Sequence, residues 1–147
     1  MTLEPILFVD DDANALAAYQ RTLRKAFDVR IATGGEAALK ALAGGDRFVA
    51  IVSDMHMPQM DGIEFLSRAR VIAPDATRVM LTGADDQRTA ADAVNRGSIF
   101  RFLAKPCTAE QLAETIAAAV RQHRLITAER DLLEKTLGGA MRVLVEI

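Results

Sequence analysis

Acids, a hydroxyl and an ammonium follow four short apolar runs in this chain. Asp10-Asp11-Asp12 come after Ile6–Val9, Asp54 after Phe48–Val52, Thr82 after Arg78–Leu81, and Lys105 after Ile99–Leu103. Brought to one rim, the carboxylates repel one another and take up protons unless a cation sits among them. A hard, octahedral, oxygen-seeking ion such as Mg2+ fits best, and it takes a phosphate readily as a further ligand. Cation, lysine and hydroxyl together form a set for stabilising a phosphoryl group in transfer. Asp54 is the candidate nucleophile, giving an aspartyl phosphate.

For these residues to meet, the runs must be strands whose carboxyl ends share one edge of a sheet. Ile6–Val9, Val29–Ile31, Phe48–Val52, Arg78–Leu81 and Ile99–Leu103 read as strands, several of them apolar at nearly every position, as in strands covered on both faces. Between them lie helix-length stretches with apolar residues at three- and four-residue spacing, such as Leu16, Tyr19 and Leu23. Thr33-Gly-Gly-Glu36 and Thr108-Ala-Glu-Gln111 read as capping boxes, and Asp61-Gly-Ile-Glu64 as a carboxylate cap. Five strand–helix units joined by right-handed crossovers predict a parallel α/β sheet with helices on both sides. Its active crevice lies at the carboxyl ends of the strands.

Composition excludes several classes. The chain has 147 residues, 50% apolar and 26% charged, which suits one globular domain. With 18 Lys+Arg against 20 Asp+Glu, the net charge of −2 offers no basic field for a nucleic-acid backbone, so no direct nucleic-acid contact is expected. The single cysteine, Cys107, excludes an intrachain disulfide and a CxxC zinc site and suits a reducing cytoplasm. Ile6–Val9 ends in aspartates and is no signal peptide, and no run approaches the roughly 20 apolar residues of a membrane span. A cytoplasmic protein without membrane contact is expected.

The last helix has a different character. From Leu112, four-then-three spacing gives Ile116, Ala119, His123, Ile126, Arg130, Leu133, Leu137, Ala140, Leu144 and Ile147, broken only by His123 and Arg130. This is a coiled-coil period running past what one sheet needs. Residues 1–122 are therefore read as the globular domain. Residues 123–147 are read as a helical connector toward a homodimer partner or an output domain. The ending Val145-Glu146-Ile147, without a polar tail, is expected of a fragment of something longer.

In combination these motifs resemble the receiver domain of two-component response regulators, from about residue 5 to 122. The motifs are Asp10-Asp11 after an apolar strand, Ser53-Asp54-Met55-His56-Met57-Pro58-Gln59-Met60-Asp61-Gly62, Leu81-Thr82-Gly83, and Lys105-Pro106. The resemblance implies a flavodoxin-like fold, a five-stranded sheet in the order 2-1-3-4-5 with an extended C-terminal helix. It implies a switch that catalyses only its own phosphorylation and dephosphorylation, with a sensor histidine kinase as partner. By position, Asp54 is the phospho-acceptor. Asp10, Asp11, Asp54 and the backbone carbonyl of His56 hold Mg2+. Thr82 and Lys105 contact the phosphoryl group, and Phe102 is the switch aromatic. His56 and Ala84 stand where the family tunes hydrolysis, Gly83 leaves access for phosphate, and Lys105–Pro106 is expected to be cis. Phosphorylation is expected to switch the face of the fourth helix, fifth strand and fifth helix. The stretch Glu129–Leu137 is similar to linkers that precede HD-type phosphohydrolase domains.

Plainer readings stand beside these. Asp12 reads as a helix cap, Cys107 as a small residue near a helix start, and Phe100 and Phe102 as sheet packing. His56 needs a defined partner before it can act. A haloacid-dehalogenase-type phosphohydrolase using Asp10 and Asp12 matches the Asp-x-Asp spacing, but it leaves the Asp54–Gly62 motif unexplained. An unphosphorylated docking module held by the long helix is a third reading.

Overall fold

The computed structural model describes the backbone of residues 2–96 and 98–146, and side chains as far as Leu137. Five strands alternate with five helices: β1 (Pro5–Asp10), α1 (Ala13–Leu23), β2 (Asp28–Thr33), α2 (Gly35–Ala43), β3 (Ala50–Asp54), α3 (Gly62–Ile72), β4 (Thr77–Thr82), α4 (Gln87–Asn95), β5 (Arg101–Ala104) and α5 (Ala109–Glu146). A short 3-10 turn, Ala84–Asp86, precedes α4. All strand pairs are parallel, in the order β2-β1-β3-β4-β5. This is the flavodoxin-like arrangement that the motifs imply.

Strand alternation builds the two sides of the core. Leu7, Val9, Ile51 and Met80 point to one face, where they meet Leu42, Phe65, Leu66 and Ala90 of α2, α3 and α4. Ile6, Phe8, Val52 and Leu81 point to the other, against Leu16 and Leu23 of α1 and Leu112, Ile116 and Ala119 of α5. Each fully buried Leu, Ile or Phe contributes roughly 1.5–3 kcal/mol. The edge strands are less covered: Ile31 in β2 is 43% exposed and Arg101 in β5 is exposed.

Some boundaries differ from the apolar runs. Phe48 and Val49 precede β3, although both are buried and Val49 already donates to Pro5 O. β5 begins at Arg101 rather than Ile99, with Phe100 donating to Arg78 O. The Thr33 capping box does not form. Thr33 is the last residue of β2, and Gly34, at φ +92°, takes the N-cap position of α2 without a side-chain cap. The left-handed backbone there favours glycine and leaves the hydroxyl one residue too early. Thr108–Gln111 is a reciprocal capping box, with Thr108 N–H on Gln111 Oε1 at 2.9 Å and Gln111 N–H on Thr108 Oγ1 at 3.0 Å.

The seam of α5 is buried at Leu112, Ile116 and Ala119, half-buried at His123 and Ile126, and exposed from Arg130 onward. Its further positions Ala140, Leu144 and Ile147 lie outside the described side chains, as does the ending from Val145. Among the described residues, no helix is long and apolar enough to cross a membrane.

Candidate functional site

Strand register brings the predicted residues into one row. Val9 pairs with Ser53, Asp54 with Leu81, and Thr82 with Ala104, so Asp10, Asp54, Thr82 and Lys105 all sit within one residue of the same carboxyl edge. Asp10, Asp11 and Asp54 each offer a carboxylate oxygen, and these oxygens lie within 4.8 Å of one another. Lys105 Nζ reaches Asp54 Oδ1 at 2.5 Å. The partners of this ion pair, 51 positions apart in sequence, are brought together by the parallel pairing of β3, β4 and β5.

Burial and charge leave clear electrostatic signatures. Asp10 is only 3% exposed. Its carboxyl is pushed up to about 6, chiefly by burial and also by the neighbouring Asp54 charge and the Asp11 side chain. The Asp12 amide and Lys105 act in the opposite direction. Burial works against the Lys105 ammonium, but its hydrogen bond to Asp54 and the charges of Asp54 and Asp10 outweigh that and hold its pKa above the usual lysine value. A tight set of oxygen donors, one of them reluctant to ionise, fits a hard divalent cation.

The surrounding loops are tightly built. Gly62 N–H donates to Met55 O at 2.8 Å, and a Cβ on Gly62 would stand 2.3 Å from Asp54 O. No other residue type permits that approach, so the glycine of the Asp61-Gly62 pair presses the start of α3 against the acceptor loop. Asp61 caps this helix through Glu64 N–H at 2.8 Å. Gln59 takes a left-handed φ of 70° in the turn before it. On the far side, Met55 N–H donates to Leu81 O and ties the acceptor loop to β4.

Thr82 is fully buried, and its hydroxyl has no hydrogen-bond partner among the described residues. Its carbonyl accepts Lys105 N–H at 2.7 Å, and the Lys105–Pro106 bond is cis. Phe102 is half-buried and packs on the α2–α3–α4 side, whereas Phe100 packs on the α1–α5 side. Ala84 is exposed in the 3-10 turn and brings no polar group, and a Cβ on Gly83 would meet only Asp86 Oδ2, at 3.8 Å.

Two residues acquire roles invisible in the motif. His56 Nε2 lies 2.6 Å from Asp86 Oδ2, joining the loop after β3 to the turn after β4. Asp86 was not singled out from the sequence; the Asp85-Asp86 pair just past Thr82-Gly83 was the available signal. Tyr19 stacks on Phe8 with ring centroids 4.9 Å apart, and it is close enough to feel the charges of Lys105, Asp10 and Asp54.

Two plainer readings hold. Asp12 accepts the Asn14 and Ala15 amides at 2.9 and 3.4 Å and caps α1. That is the capping role the plainer reading gives it. Burial pushes the Cys107 thiol up, the opposite of an activated nucleophile.

Comparison with known proteins agrees with this geometry. A profile of the response regulator receiver domain matches residues 6–117. The hydrogenase transcriptional regulatory protein HoxA of Bradyrhizobium diazoefficiens is 33% identical over 120 residues, covering 82% of this chain and 24% of HoxA. A crystal structure described as adenylate cyclase from Rhodopirellula baltica superposes with a TM-score of 0.88 at 41% identity, covering 90% of this chain and 98% of that one. The signal receiver domain of an HD domain-containing protein from Pseudomonas fluorescens Pf-5 gives a TM-score of 0.77 at 31% identity, covering 89% and 94%. The chain spans about a quarter of the length of the first curated relatives it matches. With the acidic pair, the Asp54 loop, Thr82 and Lys105 gathered at one sheet edge, the chain belongs to the response-regulator receiver family.

Proposed function

We propose that the chain is a phospho-accepting switch in which Asp54 takes a phosphoryl group from a sensor histidine kinase. The observation that carries this reading is the approach of Lys105 Nζ to Asp54 Oδ1, 2.5 Å, beside the Asp10 and Asp11 carboxylates and a buried Thr82 hydroxyl unpartnered among the described residues. An Asp54 carboxylate oxygen attacks phosphorus, the P–N bond of the donor phosphohistidine breaks, and the imidazole leaves with the electron pair. Asp10, Asp11, Asp54 and the His56 carbonyl are the groups that would hold Mg2+, which would supply positive charge to the phosphoryl oxygens. Lys105 is free to transfer its hydrogen bond from Asp54 to a phosphoryl oxygen. Thr82 gains a first partner by turning toward the same group, and Phe102 repacks into the space it leaves. The α4–β5–α5 face is then remodelled.

Reversal requires water to attack phosphorus and expel the Asp54 carboxylate. Ala84 offers that water no polar group, whereas His56, held by Asp86, stands at the other tuning position. The chain itself is a switch rather than an enzyme acting on other substrates.

The connector of α5 carries the signal to a homodimer partner or an output domain. Exposed Leu125, Leu132, Leu133 and Leu137 support pairing with a second copy. The likeness of Glu129–Leu137 to HD-type linkers, with the likeness to the Pf-5 receiver, supports an HD-type phosphohydrolase output. The stronger likeness to the Rhodopirellula baltica chain favours a nucleotide cyclase as a second reading of that output. Incubation with acetyl phosphate and Mg2+, followed by intact mass analysis, tests the central reading. A single phosphoryl adduct lost in Asp54→Asn is expected. An adduct that survives the substitution, or none under donor excess, refutes it.

A further inference from the structure

Packing stops holding α5 after Val120, the last buried residue of that helix among the described side chains. Beneath the next turns lies a cavity of about 660 Å3, lined in part by Leu42, Phe48, Ile72 and Ala76. His123, Thr127 and Arg130 of the helix line this opening, and polar contacts reach across it. Asp75, in the loop between α3 and β4, is touched twice. Its backbone carbonyl lies 2.6 Å from His123 Nδ1, and its carboxylate pairs with Arg130. A carbonyl can only accept, so His123 Nδ1 carries the proton. Seven residues, about two turns, separate His123 from Arg130 and put both on one helix face. They are the same two residues that interrupt the apolar seam of α5, and Asp75 accounts for both interruptions. One position along, Arg124 reaches Glu4, just ahead of β1, at 2.9 Å.

We propose that Asp75 anchors a two-point clasp, through His123 and Arg130, that fixes the direction in which α5 leaves the receiver across the open cavity. The helix moves with the receiver as far as Arg130, so the connector proper starts about two turns later than the seam alone places it. Ion pairs this exposed are individually weak. The clasp therefore acts on orientation rather than on whether the domain folds. The lever is long, because Lys135 lies about 22 Å along the helix from Val120.

Pulsed electron spin resonance distances test this. Spin labels at Glu36→Cys and Lys135→Cys, in a Cys107→Ser background, report receiver-to-helix distances, with excess unlabelled chain isolating the intrachain pair. A narrow distribution is expected for the parent, and one roughly twofold broader for His123→Ala/Arg130→Ala. Exchanging the charges in Asp75→Arg/Arg130→Asp should keep the distribution narrower than Asp75→Arg alone. A double alanine variant as narrow as the parent overturns the proposal, as does a parent that is already broad. Fast amide exchange across residues 121–135 in the double variant also overturns it, because the helix would then be fraying rather than swinging.

Discussion

Lys105 donates its backbone amide to Thr82 O at 2.7 Å, while the Thr82 hydroxyl, fully buried beside it, has no partner among the described residues. One side of Thr82 is locked by the backbone and the other is uncommitted. A buried hydroxyl without a hydrogen bond costs about 1–3 kcal/mol. Thr82→Val should therefore stabilise the unmodified chain by about 1 kcal/mol, roughly 2–4 °C in Tm. The same substitution should abolish the Phe102 response to beryllofluoride. Urea denaturation measures the first effect and fluorine-labelled phenylalanine the second; a destabilised Thr82→Val would show that the hydroxyl is satisfied in solution.

Asp10 gives a pH dependence of definite sign. Its folded pKa, about 6, lies above its ordinary value of 3.8, so the folded state prefers the protonated form. The contribution is fully present below the unfolded value and is lost as pH rises through about 6. That loss is about 3 kcal/mol at neutral pH without a divalent cation. The stability of Asp10→Asn relative to the parent should thus grow between pH 4 and 7, and millimolar Mg2+ should raise the parent's Tm at pH 7.5. Parallel stability curves for parent and variant, with no Mg2+ effect, would contradict this.

Two glycines separate close approach from mere smallness. A Cβ on Gly62 would lie 2.3 Å from the Asp54 carbonyl oxygen and 3.0 Å from Met55 Cα, both backbone atoms. Gly62→Ala should cost about 3 kcal/mol and slow labelling of Asp54. A Cβ on Gly35 meets only side-chain atoms of the buried Met60, Sδ at 2.8 Å, Cγ at 3.3 Å and Cβ at 3.4 Å. Because a side chain can give way where backbone cannot, Gly35→Ala should cost clearly less than Gly62→Ala. Equal losses of stability in chemical denaturation would show that the two positions are equally constrained.

Lys105→Ala removes the ammonium that meets Asp54 at 2.5 Å. Phosphorylation by acetyl phosphate should continue at a rate about a hundredfold lower, since one electrostatic stabiliser of the transferring group is lost. Time-resolved mass analysis checks this, and an unchanged rate would remove Lys105 from the site's chemistry.

The exposed leucines of α5 predict association. Sedimentation should show a dimer at roughly tens of micromolar. Leu132→Glu/Leu133→Glu should convert it to a monomer, and at dilutions where the parent is also monomeric the two should melt alike, because these side chains are 66% and 55% exposed. A monomeric parent at that concentration would leave the leucines unexplained by pairing.

Much of this was readable from the chain alone, for a local reason. Buried parallel strands must be apolar on both faces, and Ile6–Val9 and Phe48–Val52 carry that requirement in their residue types. Asp12, Asp61 and Thr108 cap their helices because caps depend only on neighbours within three residues. The Thr33 box failed at the same scale, because a single φ at Gly34 displaced the helix start.

Distances between segments are another matter. Nothing along the chain could state that Lys105 rests on Asp54, that Asp86 holds His56, or that Asp75 receives both His123 and Arg130. The strand and helix segments and their succession along the chain were determined by the sequence itself, since apolar burial and capping act on neighbours. Which ionisable groups touch, and how far each is withdrawn from water, was decided only by the tertiary structure. Those quantities depend on the register of strands up to 51 residues apart and on the low-dielectric surroundings the packed sheet creates.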